Sequence, residues 1–218
     1  MKIGKSIILL LCMGLLGLTA CGEVIQPEEN KEVTDELAAS SASSLTVEKD
    51  GSIAHTIVED FSGSEFYSEE RLKSMIDSSI DEYTSGHPSA QIKLKNLKVK
   101  DGVANVSMEY GDYQAYAGFN SEDFFVGTVK DANMAGYDLN VTLRSVSDNT
   151  EISKPDLLGM GDSHIILAIV EAAGETQADQ IRINCFDEIL YVSDGITAAG
   201  KKSADVSLAN GYRIIVFK

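Results

Sequence analysis

An alternating apolar pattern on both sides of Asp101-Gly102 is the feature that most constrains the fold of this chain. Asp-Gly is a favoured two-residue turn of β-hairpins, so residues 91–100 and 103–110 are predicted to pair as antiparallel strands. The apolar residues of the first strand change phase halfway along, although side chains on one face of a strand should lie two positions apart. The pair in one phase is Ile92 and Leu94, and the pair in the other is Leu97 and Val99.

This change of phase predicts a β-bulge in the first strand of the hairpin. Counted outward from the turn, regular pairing would set the apolar Leu94 opposite Glu109. If Lys95 and Asn96 together oppose a single residue of the second strand, Leu94 meets Met108 instead, and the apolar residues share one face. We therefore expect a half-buried hairpin with a bulge at Lys95 and Asn96.

Residues 68–86 carry the pattern of an amphipathic helix. Ser68 is predicted to be the N-cap, and two acidic residues follow it in the first turn, where the helix dipole favours them. Gly86 and Pro88 are predicted to end the helix. Apolar residues at helical spacing make one stripe, formed by Leu72, Met75, Ile76, Ile80 and Tyr83.

Most of the remaining pattern is strand-like. Residues 45–49 and 52–59 flank Asp50-Gly51, a second hairpin turn. Strand patterns also occur at residues 138–146, 164–170, 180–186, 189–192, 204–208 and 212–217, and a short helix capped by Ser121 is predicted over residues 119–129. The predicted class is α+β, with one main helix packed on an antiparallel sheet, followed by a β-rich C-terminal half. We expect an α+β domain at residues 45–136 and a β-rich domain at residues 137–218, or one continuous domain.

Residues 1–20 have the pattern of a lipoprotein signal peptide. Lys2 and Lys5 precede an apolar run that is too short to span a membrane. The following Leu-Thr-Ala-Cys-Gly resembles the bacterial lipobox, and the resemblance implies cleavage before Cys21 and attachment of a diacylglyceride to its thiol. Two acyl chains are enough for stable anchoring. The alternative is an ordinary signal peptide with a chance cysteine.

The segment after the signal is predicted to be a lipidated, disordered tether, residues 21–44. It is rich in charged residues, alanine and serine, so it cannot bury apolar surface. Cys12 leaves with the signal and Cys21 carries lipid, so Cys185 has no partner for an intramolecular disulfide. Cys185 lies in an alternating segment and is predicted to be a small buried side chain.

The chain is strongly acidic, with 18 basic and 34 acidic residues and a net charge of −16. Loss of the signal removes Lys2 and Lys5 and no acidic residue, which makes the charge −18. Nucleic acid is excluded as a partner, because phosphate binding needs clustered lysine and arginine. The acidic side chains are interpreted as keeping a surface protein soluble, and the alternative is that they bind cations or cationic peptides.

Familiar catalytic and metal-binding patterns are incomplete in this sequence. Gly161-Asp162-Ser163 resembles the nucleophile block of GDS-type esterases, but no histidine base follows His164. Histidine and cysteine lack the spacing of zinc ligands, so we expect no metal and no cofactor. The carboxylates of Glu109 and Asp112 stand beside tyrosines, which leaves glycan hydrolysis open.

Aromatic residues near the middle of the chain are the leading candidates for a binding surface. Ligand sites are lined mainly by apolar and aromatic side chains with a few polar groups. The candidate surface consists of Tyr110, Tyr113, Tyr116 and Phe119. The alternative is that these rings fill the core beneath a short helix.

Several segments are similar to those of a group of clostridial (Firmicute) lipoproteins of unknown function. They include Asp50-Gly51-Ser52-Ile53 leading to Glu59-Asp60-Phe61, residues 72–83, Phe119-Asn120, Gly127-Thr128, Ala135-Gly136-Tyr137 and residues 189–195. The similarity covers most of residues 45–218. It implies an exported lipoprotein of a Gram-positive cell, anchored to the cytoplasmic membrane, and it implies no catalytic residue.

Together these patterns favour a lipoprotein on the extracytoplasmic face of the cell membrane, held there through Cys21. The favoured function is a non-catalytic binding or structural module, with a protein or glycan partner in the envelope. Two alternatives stay open: a cell-wall or glycan hydrolase that uses paired carboxylates, and a solute-binding lipoprotein.

Overall fold

The structure, a computed structural model, describes residues 42–61, 68–170 and 180–218. The predicted signal, Cys21 and nearly all of the predicted tether lie outside the described residues. The described part of the chain is mixed α+β, with two sheets and four helices. None of those helices is long and apolar enough to cross a membrane.

The first sheet has seven strands, and it is mixed. The strands are β1 (Ser44–Val47), β2 (Ile53–Asp60), β3 (Ile92–Lys100), β4 (Val103–Tyr110), β9 (Gln180–Asn184), β11 (Ile196–Ala198) and β12 (Ser203–Ser207), in the order β11-β12-β9-β1-β2-β4-β3. β1 and β2 form the predicted hairpin. β9 runs parallel to β1, so the prediction of an antiparallel sheet is wrong for this pair. Parallel neighbours need a long connection, which the chain between β1 and β9 provides.

The predicted bulge between β3 and β4 is confirmed. The register shifts between Leu94 and Asn96, and Leu94 lies opposite Met108. Met108 is fully buried and Leu94 packs against the same core. Lys95, the extra residue, reaches Glu109 across the exposed face, with 2.9 Å between ammonium and carboxylate.

The predicted long helix is confirmed as α1 (Glu69–Gly86), with Ser68 as its N-cap. The Ser68 hydroxyl accepts a hydrogen bond from the amide of Arg71 at 3.3 Å. Leu72 and Ile76 are buried, whereas the rest of the predicted stripe is half-buried. The helix lies against β3, the edge strand of the first sheet.

The second sheet has six strands, and all of its described pairings are antiparallel. The strands are β5 (Asp123–Thr128), β6 (Leu143–Ser145), β7 (Glu151–Ile152), β8 (His164–Val170), β10 (Ile189–Ser193) and β13 (Gly211–Phe217), in the order β5-β8-β13-β10-β6-β7. Each sheet therefore takes strands from both sides of residue 136.

The prediction of one helix over residues 119–129 is wrong. α2 (Tyr113–Asn120) ends where that helix was expected to begin, and β5 follows it. Ser121 has a φ of 55° and ends α2 instead of capping a new helix. β5 is stabilised by pairing with the distant β8. The strand predicted over residues 138–146 is also shorter, since only Leu143–Ser145 pair.

The two sheets pack face to face, and the second sheet is covered on both sides. An inner apolar cluster joins side chains of both sheets, among them Ile53, Met108, Ile166 and Phe217. An outer cluster lies on the other face of the second sheet, near α3 (Val129–Met134) and α4 (Lys154–Gly159), and includes Val129, Leu157, Leu167 and Ile214. β8 contributes to both clusters, as its continuous apolar sequence predicted.

Candidate functional site

Three of the four residues predicted to form a binding surface belong to the core. Tyr110 is fully buried at the end of β4, and Tyr116 and Phe119 are buried on α2. The rings of Tyr110 and Tyr116 meet edge-on with centroids 5.2 Å apart. The prediction is corrected for these three residues, because they fill the space between the sheets, which was the alternative left open.

Tyr113, the fourth residue, is half-buried at the start of α2, beside the edge strand β5. Its ring packs edge-on against Phe125, with centroids 5.0 Å apart. Phe125 also contacts Tyr137 in the loop after α3, at 4.8 Å. Three separate elements thus bring these rings together on the outer face of the second sheet.

Two strand residues continue this surface. Tyr212, at the start of β13, packs against the outer cluster and is half-buried. Ile169 lies directly opposite it on β8 and leaves 44% of its surface exposed. Residues opposite each other on antiparallel strands share a face and touch. We call this surface the tyrosine patch: Tyr113, Tyr137, Ile169 and Tyr212, with the buried ring of Phe125 packed against Tyr113 and Tyr137.

Four exposed carboxylates lie around the tyrosine patch. Asp112 is the N-cap of α2, and Asp131 completes the capping box of α3 by accepting from Thr128, its N-cap. Asp138 follows Tyr137 and accepts a hydrogen bond from the amide of Asn140 at 2.8 Å. Asp123 lies opposite Ile169 on β5. Backbone hydrogen bonds to Asp112, Asp131 and Asp138 hold their carboxylates in place.

The tyrosine pKa values report the same arrangement. Burial raises the pKa of Tyr113, and Tyr137, Asp112 and Asp131 raise it further. Burial also raises the pKa of Tyr212, with Asp138 and Tyr137 adding to the effect. Carboxylates therefore lie close enough to both phenols to raise their pKa values.

The Tyr212 hydroxyl is the unusual polar group of this surface. Its oxygen is buried and has no hydrogen-bond partner among the residues that the structure describes. Leaving a buried donor unsatisfied costs roughly 1–3 kcal/mol, so native proteins rarely retain one without a reason. A ligand would remove the cost by accepting this hydrogen bond if the side chains that cover the hydroxyl moved aside.

Sequence reasoning missed Tyr137 and Tyr212, although each follows a glycine at a turn. Gly136 has a φ of 84°, which favours glycine, and it places Tyr137 directly after the turn. A large aromatic residue at a loop or strand end is a useful signal for recognition. The signal does not say that the two residues meet, since 74 residues of chain lie between them.

The carboxylates suggested for glycan hydrolysis have structural roles. Glu109 is bridged to Lys95 at 2.9 Å and Lys93 at 3.8 Å, and the hydrogen bond to Lys95 lowers its pKa most. Asp112 accepts the Ala115 amide at 2.7 Å as the cap of α2. The two residues stand on different elements, and the pKa of Glu109 is lowered, whereas a general acid needs a raised pKa.

The remaining candidates do not assemble into a site. Ser163 lies in the turn before β8, and the ring of His164 contacts the carbonyl of Lys218 at 3.1 Å. His55 is buried in β2 and His87 stacks on Tyr83. Within residues 42–61, 68–170 and 180–218, no group of three or more metal-binding side chains comes together. Cys185 is buried as predicted, and burial raises its pKa to about 12.

Comparisons with models of protein families, with curated proteins and with solved structures find no match to this chain.

Proposed function

We propose that this protein is a lipid-anchored extracytoplasmic binding module and that the tyrosine patch is its contact surface. The observation that carries the proposal is the group of half-buried tyrosines around the buried Phe125, together with the unsatisfied Tyr212 hydroxyl. Tyrosine is favoured at interfaces because its ring supplies apolar area while its hydroxyl supplies a hydrogen bond. The partner class is a protein or glycan of the envelope.

The anchor is proposed from residues 1–44. The lipobox before Cys21 supports attachment to the outer face of the cytoplasmic membrane, and the charged segment after it supports a tether that holds the folded part away from the lipid. Replacement of Cys21 by alanine is expected to abolish incorporation of labelled palmitate and to leave precursor or shed protein. Undiminished labelling of the Cys21→Ala protein would contradict the anchor.

We also propose that the fold has one main helix, packed on the first sheet, and a β-rich C-terminal half. The 18-residue length of α1 and the run of strands from β8 to β13 support it.

Binding is tested with the mature chain and matched variants. Wild type, Tyr137→Ala and Phe186→Ala proteins are incubated with purified sacculi, soluble glycans and envelope extract, and the bound fraction is measured. Phe186 is the control because it is another half-buried aromatic residue, packed on Phe217 at the opposite end of β13 from Tyr212.

We expect Tyr137→Ala to weaken binding about tenfold, because central aromatic residues dominate interfaces and tenfold corresponds to about 1.4 kcal/mol. The Phe186→Ala protein, checked for folding, should bind like wild type. Equal binding by all three proteins would remove the patch as the contact surface.

A further inference from the structure

The tyrosine patch combines aromatic rings with carboxylates and lacks a basic group of its own. The basic residue next to it on β13, Arg213, is turned to the other face of the strand by the alternation of side chains. Its guanidinium donates to the carbonyls of Ser207 at 3.2 Å, Ala209 at 2.8 Å and Tyr212 at 3.3 Å. Arg213 is thus committed to holding the β12–β13 loop.

Lys130 is the basic residue on α3 beside the patch. It is exposed, and its charge lowers the pKa of Asp131, so it offsets part of the charge of that carboxylate. Asp112, Asp123 and Asp138 make no ion pair within the described residues. The charges of these three carboxylates are therefore not neutralised by an ion pair in the described part of the chain.

We propose that the tyrosine patch binds a basic polypeptide segment, whose ammonium or guanidinium groups lie against the tyrosine rings and between the surrounding carboxylates. The inference rests on the proposed binding function and names its partner class. Cations are attracted to the faces of aromatic rings, most strongly where water is displaced. A phosphate polymer or another anionic partner would be repelled by the same carboxylates.

The extent of the surface favours a polypeptide over a single small amine. Tyr113 and Tyr137 both pack against the buried Phe125, with ring centroids 5.0 Å and 4.8 Å from it, and Tyr212 packs against the same outer cluster. Asp112, Asp131 and Asp138 belong to different elements around these rings. Several cations spaced along one chain can contact tyrosines and carboxylates that come from separate elements.

The test uses three probes of matched length: a hexalysine peptide, a hexaglutamate peptide and a neutral N-acetylglucosamine hexamer. Each is titrated into the mature chain, and the dissociation constant is measured by calorimetry at two salt concentrations. The variants are Asp138→Asn and Tyr137→Ala. Asp138→Asn keeps an oxygen that can accept the hydrogen bond from the amide of Asn140. The control is Glu82→Gln, an equal change of charge at an exposed position on α1.

We expect hexalysine to bind and hexaglutamate not to bind. Asp138→Asn should weaken hexalysine binding about threefold to fivefold, Tyr137→Ala about tenfold, and Glu82→Gln less than twofold. Higher salt should weaken binding, because exposed charges are screened.

Two results would overturn the basic partner. If Glu82→Gln weakens hexalysine binding as much as Asp138→Asn does, the attraction comes from net charge and not from the patch. If the neutral glycan binds, Tyr137→Ala abolishes that binding, and hexalysine does not bind, the patch is a contact surface for glycans. The second result would leave the proposed binding function intact, whereas unchanged binding of every partner by Tyr137→Ala would remove both.

Discussion

Two aromatic clusters meet at α2, one on each side of the edge strand β5. On the inner side Tyr116 packs against Phe124 with centroids 5.0 Å apart, and on the outer side Tyr113 packs against Phe125 at the same distance. Phe124 and Phe125 are neighbours in the chain, so the alternation of β5 sends them to opposite faces. The short helix therefore straddles the strand with one tyrosine on each side.

The hydroxyl groups of the two clusters differ in their hydrogen bonding. The inner cluster consists of Tyr110, Tyr116, Phe119 and Phe124. The hydroxyl of Tyr116 donates to Glu122 at 2.8 Å, and that of Tyr110 accepts from Asn120 at 3.3 Å. In the tyrosine patch the Tyr212 hydroxyl has no partner among the described residues. The rings of the two clusters pack with similar geometry. In the inner cluster the hydroxyls are hydrogen-bonded and stabilise the fold, whereas the unsatisfied hydroxyl of the tyrosine patch favours a role in recognition.

The largest expected difference between the clusters is in stability. Phe119→Ala should lower the free energy of unfolding by about 3–5 kcal/mol, because it opens a cavity between the sheets. Tyr137→Ala should lower it by about 1 kcal/mol, since its ring is only half-buried. Urea titration of both variants measures the difference. Similar losses would mean that the patch is part of the core.

The next difference is in pH dependence, and it arises at His55 beside the inner cluster. The His55 ring lies 5.5 Å from that of Tyr116, and burial lowers its pKa from 6.5 to about 4. The unfolded chain takes up a proton near pH 6.5, whereas the folded chain does so only near pH 4. Stability should therefore fall as the pH is lowered from 7 to 4, by about 3 kcal/mol from this residue.

A variant isolates the contribution of His55. His55→Phe keeps an aromatic ring and removes the titrating group, so its stability should change less between pH 7 and pH 4 than that of wild type. Glu122 acts in the opposite direction, since burial raises its pKa and its contribution is lost as the pH rises, but it is present in both proteins. Equal pH profiles for the two proteins would show that His55 is not the source.

The inner side of the molecule was more predictable from sequence than the outer side. Alternation around Asp101-Gly102 gave the pairing of Leu94 with Met108, because partners in a hairpin are close in sequence. The helix predicted over residues 119–129 failed because Ser121 followed by two acids looks like an N-cap. What decides the structure there is pairing of β5 with β8, about 40 residues away, which no local pattern contains.

The candidate site was predicted only through Tyr113. Aromatic residues in one segment were expected to act together, yet three of the four turned inward. The partners of Tyr113 came instead from β5, the loop after α3 and β13. The partial burial of these tyrosines and the missing partner of the Tyr212 hydroxyl arise only when distant elements pack together. They could therefore not be predicted from the sequence.

A smaller difference should appear when single hydroxyl groups are removed from α2. Tyr116→Phe breaks the hydrogen bond to Glu122 and leaves that half-buried carboxylate without its donor, at an expected cost of about 1–2 kcal/mol. Tyr113→Phe should change stability by less than about 0.5 kcal/mol, because its hydroxyl makes no hydrogen bond within the described residues. Thermal unfolding of both proteins tests the contrast, and a cost at Tyr113 equal to that at Tyr116 would contradict it.

The smallest expected change in stability, and the most informative about function, is at Tyr212. Tyr212→Phe removes a buried hydroxyl that has no partner in the described part of the chain, so the folded state should be unchanged or up to about 1 kcal/mol more stable. If that hydroxyl contacts the ligand, the same substitution should weaken binding several-fold. Urea titration and calorimetry on one preparation measure both effects. A loss of stability in Tyr212→Phe would show that the hydroxyl is hydrogen-bonded within the fold. A gain of stability together with weaker binding would show that the hydroxyl forms its hydrogen bond with the partner.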